Sequence, residues 1–224
     1  MNELLWFAFA LVNFIFVMGI YKFFGKTGLF AWIALGTILA NIQVTKTIEI
    51  FGLTATLGNV MYGTLFLVTD TLNEKYGIKD AKRAVFIGFF SMIALVVIMQ
   101  MALAFMPHPE DFAQDSLSTI FSLMPRIALG SLTAYIISQM LDVHLFQRIK
   151  RVWKSDQTLY VRNIGSTLVS QLVDTLIFVP IAFLGIHSTE VLIGIFVTTY
   201  LIKILVALLD TPFVYMMKRI NPIE

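Results

Sequence analysis

The chain has 224 residues, of which 58% are hydrophobic and 13% charged, with a mean hydropathy of +0.84; soluble domains carry about 25% charged residues. It contains no cysteine, which excludes disulfides, thiol chemistry and cysteine-based metal sites. Its net charge of +2 gives no nucleic-acid signature, because almost all the basic residues mark topology, as shown below.

Runs of about 20 apolar residues, enough to cross a ~30 Å hydrocarbon layer, recur along the whole chain. The first, 3–23, has no basic n-region and no A-x-A-like site, so it reads as a span and not a signal peptide. The second, 28–48, carries the polar stripe Thr37, Asn41, Thr45. The third, 55–73, carries Asn59, Tyr62, Phe66 and Asp70 at helical spacing. The fourth, 84–106, is followed by the acidic loop "PHPEDFAQDSLS". The fifth, 119–143, presents Ser131, Tyr135, Ser138 and Asp142, with Gln139 beside them. The sixth, 163–186, presents Asn163, Thr167, Gln171 and Asp174; the seventh, 189–217, Thr199, Lys203 and Asp210. These continuous runs lack the alternation of a membrane β-barrel. They predict an all-α, polytopic membrane helical bundle that occupies 1–224 as one domain.

Basic residues set the expected orientation. Lys22 and Lys26 fall between spans one and two, and Lys75, Lys79, Lys82 and Arg83 between three and four. Arg148, Lys150, Arg151, Lys154 and Arg162 fall between five and six, and Lys218 and Arg219 follow span seven. The alternate loops hold Lys46 alone. The positive-inside rule then puts the N-terminus outside and the C-terminus in the cytoplasm of a multi-pass inner-membrane protein. The basic loops also suit anionic lipid of the bilayer.

Arg126 and Lys203 fall inside spans, where an unpartnered charge costs roughly 2.5–3.5 kcal/mol. At 1.5 Å per residue, Asn41, Asp174 and Lys203 all lie roughly 16–20 Å from a membrane face, near the midplane. Asp70, Asp142 and Asp210 lie nearer the cytoplasmic ends. Polar faces in lipid turn toward one another, so the striped helices surround a common interior. Serine, threonine and amide side chains also join helices at about 0.6 kcal/mol each, and Thr37, Thr45, Ser131 and Thr199 fit that role. An Asp174–Lys203 ion pair of structural purpose is a competing reading. The cluster Asn41, Gln171, Asp174, Lys203 at one depth favours a binding site. Arg126, following Pro125, is expected to hydrogen-bond backbone carbonyls or to pair with Glu49. Asp70 and Glu74, one turn apart, are expected to be offset by Lys75, Lys79 and Arg83 at a cytoplasmic gate or coupling surface.

Enzymatic chemistry finds no support. No histidine pair has metal-ligand spacing, and no G-x-S-x-G or phosphate-binding glycine loop occurs. The residues before Asp142 and Asp174, Leu141 and Val173, depart from the Y-D and G-x-G-D pair of membrane aspartyl proteases. No cofactor is expected.

Three segments, "LFLVTDTLNEKYGIKDAKRA" (65–84), "GSLTAYIISQMLDVHLFQRIKR" (130–151) and "NIGSTLVSQLVDTLIFVPIAF" (163–183), resemble the queuosine precursor transporter family, also called the vitamin uptake transporter family. The most specific pieces are Thr69-Asp70 with Glu74, Tyr76 and Gly77, then Leu141-Asp142-Val143-His144, then Ser166-Thr167 with Asp174-Thr175. The resemblance implies a six-helix core, 27–219, with 1–26 as an extra first span. It implies an inner-membrane importer of the 7-deazaguanines that precede a modified tRNA base, 7-cyano-7-deazaguanine or its aminomethyl relative. Family members often have proline where this chain has Gly63.

For such a cargo, a carboxylate can accept from the N1–H and 2-amino edge, a role that fits Asp174. Gln171 and Asn41 can read the other polar edges, Tyr62, Phe66 or Tyr135 can stack, and Asn163 and Lys203 complete the expected site. Asp70, Glu74 and Asp142 are expected to gate or couple. Two other readings stand beside this one. The chain could be the substrate-capture subunit of an energy-coupling-factor transporter, which would bring coupling subunits as partners, or a non-transporting membrane protein whose stripes only pack helices.

Overall fold

The structure, a computed structural model, describes residues 2–50, 53–122, 124–184 and 188–223. The apolar runs fold as helices: α1 (Asn2–Val44), α2 (Gly58–Lys75), α3 (Ile78–Leu103), a short α4 (Gln114–Phe121), α5 (Met124–Val152), α6 (Leu159–Phe183) and α7 (Thr189–Arg219). Between α1 and α2, β1 (Thr47–Ile50) and β2 (Leu53–Thr56) pair antiparallel, with Thr47 opposite Thr56 and Ile50 opposite Leu53. Five helical stretches among the described residues, α1, α3, α4–α5, α6 and α7, are long and apolar enough to cross a membrane. The protein is an all-α membrane bundle.

Two boundaries differ from expectation. Spans one and two, expected at 3–23 and 28–48, form one helical run that bends back on itself at Gly25. That residue has φ 53° and ψ −141°, a conformation cheap only without a Cβ. A straight helix of this length would extend about 64 Å, yet Asn2 Nδ2 donates to the Glu49 carbonyl at 3.1 Å. The two halves therefore lie side by side. Residues 47–48 and 55–56, expected at the ends of spans two and three, lie instead in the two strands of this hairpin. Its β-branched residues Thr47, Ile48, Ile50, Thr54 and Thr56 favour strand over helix.

α2 is not among the membrane-crossing stretches, although 55–73 was expected to span. It carries Asn59, Asp70, Asn73 and Glu74, and nearly all of it is buried. Protein encloses it in place of lipid: α1, α3, α5 and α7 pack around it. Close approach relies on small residues. A Cβ on Gly58 would sit 2.5 Å from the Ala40 carbonyl oxygen, and one on Gly36 2.8 Å from Leu65. The first half of α1 belongs to the same core through Trp6, Phe14, Val17 and Tyr21, with Phe14 stacked on Phe213 of α7 at 4.6 Å. Leu4, Leu11, Phe16, Phe90, Ile98 and Met101 point outward, as suits a lipid-facing surface.

The ends of the bundle are chemically different. At one, Lys22 Nζ donates to the Asn221 carbonyl, Lys26 pairs with Asp80 at 3.2 Å and Lys75 Nζ reaches the Ile220 carbonyl at 2.6 Å. At the other lie the Asn2–Glu49 contact, a Gln100 bond to the Phe121 carbonyl and Arg126, whose Nη2 donates to the Leu184 carbonyl at 3.3 Å. That carbonyl follows the last turn of α6 and has no helical donor. Arg126 thus takes the backbone-carbonyl role and not a pairing with Glu49.

Candidate functional site

In the middle of α6, the i, i+4 spacing puts Gln171 and Thr175 on one helix face, with Asp174 beside them. Asp174 forms an ion pair with Lys203 of α7 and accepts from Ser138 Oγ of α5 at 3.0 Å. Three helices are tied at that carboxylate. From the α1–α2 side, Tyr62 OH donates to Asn41 Oδ1 at 3.2 Å, and Asn41 Nδ2 returns to the Thr37 carbonyl at 2.8 Å. The Tyr62 and Tyr135 rings lie 6.5 Å apart, inclined at 50°. Aromatic faces and polar groups therefore converge from α1, α2, α5, α6 and α7.

Below Asp174, a cavity of about 10 Å³ is lined by Asn59, Gly63 and Phe66 of α2, Thr167 and Gln171 of α6, and Lys203, Val206, Ala207 and Asp210 of α7. It has room for one water. Gly63 lets the walls meet, since a Cβ there would lie 2.0 Å from Val206 Cγ1.

Asn163 was grouped with Asp174, but it lies eleven residues down α6, roughly 16 Å along the axis. Its Nδ2 donates to Asp210 Oδ1 at 3.0 Å and to Thr211 Oγ1 at 3.2 Å. Asn163 therefore belongs to a lower layer with Asp70, Asp142 and Asp210, all fully buried. Asp142 accepts from Ser170 Oγ at 3.0 Å. Asn59, Thr167 and Asp210 line the cavity although only their place on polar stripes marked them in the sequence. Among the described residues no three carboxylate, histidine or cysteine side chains form a metal-binding group.

At the basic end, Glu74 is met by Arg162 at 2.8 Å, Lys218 at 2.8 Å and Lys150 at 3.0 Å. Lys79 and Arg83, the partners expected from local spacing, are not among its ion pairs; Arg83 lies over the Phe30 ring. The structure replaces a pairing along one segment by one that joins α2, α5, α6 and α7. Arg162 presents Nε and Nη2 to the two carboxylate oxygens, the planar fork matching the planar acid. Its Nη1 holds the Trp153 and Ser155 carbonyls, each at 3.1 Å. Burial pushes the Glu74 carboxyl upward, but hydrogen bonds from Lys218 and Lys150 and the nearby charges of Lys150 and Arg162 outweigh it and hold it below the usual carboxylate range.

A family model described as "Putative vitamin uptake transporter" matches residues 56–217. A Bacillus subtilis protein named "Probable queuosine precursor transporter" is 52% identical over 221 residues, covering 99% of this chain and 96% of its own. An Escherichia coli "Queuosine precursor transporter" is 29% identical over 158 residues, 68% of this chain and 67% of its own. A Haemophilus influenzae relative, also named as a probable queuosine precursor transporter, is 30% identical over 133 residues, 59% of this chain and 54% of its own. No solved structure matches the chain. The B. subtilis alignment includes the first half of α1, so that relative shares the segment read as an extra span. The chain is a transporter and not an enzyme, and it belongs to the vitamin uptake transporter family, that of the queuosine precursor transporters.

Proposed function

We propose that this protein imports queuosine precursors across the inner membrane and holds the 7-deazaguanine ring at the Asp174 site. The carrying observation is the Asp174–Lys203 pair, part-buried among polar and aromatic side chains, at the mid-membrane depth expected from its place along α6. A carboxylate there can accept from the paired N1–H and 2-amino groups of the base, in place of Lys203 and Ser138. Gln171 and Asn41 offer both donors and acceptors to the remaining polar edges. Tyr62, Phe66 and Tyr135 supply stacking faces. Lys203 neutralises Asp174 when no base is bound, which avoids an unpaired buried charge. The names of the relatives give a queuosine precursor as their cargo; 7-cyano-7-deazaguanine or its aminomethyl relative is the cargo proposed for this chain, and the side chains around Asp174 support that reading.

A bicyclic base is far larger than a cavity for one water, so α7 must part from α2 to admit cargo. Alternating access about a midplane site does this. Glu74 with Arg162, Lys150 and Lys218 closes the basic end, which the charge asymmetry assigns to the cytoplasm; the N-terminus then faces outward. Opening inward requires those contacts to separate, and this gives Glu74 its gating role. The first half of α1, residues up to 26, acts as an added brace on the six-helix core 27–219. The test is uptake of labelled 7-cyano-7-deazaguanine by cells lacking their own carrier and expressing this chain without coupling subunits. Accumulation supports a self-sufficient importer. No uptake unless energy-coupling-factor subunits are supplied would refute self-sufficiency and make the chain their capture subunit.

A further inference from the structure

One level below the base site, three helices each bring a buried acid to the same place. Asp70 of α2, Asp142 of α5 and Asp210 of α7 are all fully buried. The carboxyl groups of Asp70 and Asp142 are within hydrogen-bonding reach of each other, and neither oxygen of Asp70 meets a donor. Asp210 and Glu74 are the further charged neighbours of Asp70. The nearby cations are otherwise engaged: Lys150, Arg162 and Lys218 with Glu74, and Lys203 with Asp174. Helix α6 faces Asp142 with the hydroxyls of Ser166, Thr167 and Ser170 and faces Asp210 with Asn163. Two carboxyl groups in contact, away from water and without a donor between them, cannot both be ionised.

A second observation gives this cluster an outlet. The water-sized cavity touches Lys203 and Gln171 at the base site and Thr167 and Asp210 at the acid layer. Thr167 is 2% exposed, its hydroxyl is unpartnered, and it sits beside both Asp142 and the cavity. One water there would connect the two levels.

We propose that Asp70 and Asp142 share one exchangeable proton, passed to and from the cavity through Thr167 and Asp210, and that this proton couples transport to the proton gradient. In each cycle a proton enters from the outer side with the base, resides on the acid pair, and leaves to the cytoplasm when the basic end opens. The proton site stands independently of the cargo; the coupling rests on the importer reading above. Replacing Asp70 by Asn supplies a fixed N–H to Asp142 and mimics the loaded pair permanently.

Two measurements test this. Infrared difference spectra of the purified full chain between neutral and strongly alkaline pH should show a carboxylic-acid C=O band that is lost on alkalinisation. The band should be missing in Asp70→Asn and in Asp142→Asn. All carboxyls already ionised at neutral pH, or a band that survives both substitutions, would overturn the shared proton. In proteoliposomes with an alkaline lumen, wild type should accumulate labelled 7-cyano-7-deazaguanine roughly tenfold for each unit of pH gradient, if one proton moves with each base. Asp70→Asn and Asp142→Asn should do no more than equilibrate it. Wild-type uptake indifferent to the gradient, or concentrative uptake by both variants, would overturn the coupling. If wild type moves none of this base, the cargo reading fails, and the infrared result alone decides the proton site.

Discussion

Replacing Glu74 by Gln probes the four-helix junction at the basic end. The substitution keeps the side-chain volume but removes the charge that Arg162, Lys150 and Lys218 share. The Glu74 side chain is 5% exposed and that of Arg162 1%, while the two lysines keep 30% and 28%. The lysines can turn to water and recover much of their loss. Arg162 cannot, although its Nη1 retains the Trp153 and Ser155 carbonyls. Stranding one member of a buried pair costs about 3–5 kcal/mol, and the retained carbonyl bonds argue for the lower part of that range. The same carboxylate gives a pH dependence. Its folded value is held below the usual range, so its contribution is full above the ordinary carboxylate range and is lost as pH falls through the folded value. Thermal unfolding of the purified protein in detergent should show Glu74→Gln clearly less stable than wild type at neutral pH, with the gap narrowing in acid. Glu74→Gln combined with Arg162→Met should recover part of the loss. A Glu74→Gln protein as stable as wild type at neutral pH would refute the reasoning.

Gly63→Ala puts a methyl 2.0 Å from Val206 Cγ1; an overpacked contact of this kind costs about 1–3 kcal/mol. Thermal stability should fall, and Val206→Ala in the same chain should restore it. Arg126→Lys loses the planar donor that reaches the Leu184 carbonyl, so protein yield should fall while the half-saturation concentration for uptake stays near that of wild type; an affinity loss at normal yield would place Arg126 in the base site. Because the chain has no cysteine, single cysteines at the exposed Ser116 and Ser155 report topology directly. Impermeant reagent should label Ser116→Cys on intact cells and Ser155→Cys only after the membrane is opened, and the reverse pattern would invert the orientation.

What the sequence made legible was whatever depends on local period and on the cost of charge in lipid. The helices from α3 onward follow their apolar runs, and Asp174 finds Lys203 because two opposite charges inside spans at one depth leave few alternatives. The pairing of β1 and β2 escaped because each strand has four residues and their outer ends merge with the flanking spans. The partners of Glu74 escaped for a different reason. Arg162 and Lys218 lie 88 and 144 residues away, and one-turn spacing pointed to Lys79 in their place. Asn163 was assigned to the base site because stripe membership gives a face and not a level; its distance along α6 puts it with Asp210.

The central claim is that Asp174 receives the base, and equilibrium binding of 7-cyano-7-deazaguanine to purified Asp174→Asn tests it most directly, alongside Asp174→Asn combined with Lys203→Met. The amide keeps the shape but turns a donor toward the donor edge of the ring. A charge-assisted contact contributes about 1.5–3 kcal/mol, so affinity should fall about ten- to a hundredfold. The double variant removes the stranded lysine charge, so it should fold as well as wild type and still bind weakly. Wild-type affinity in the double variant would contradict the account and leave the Asp174–Lys203 pair a structural one.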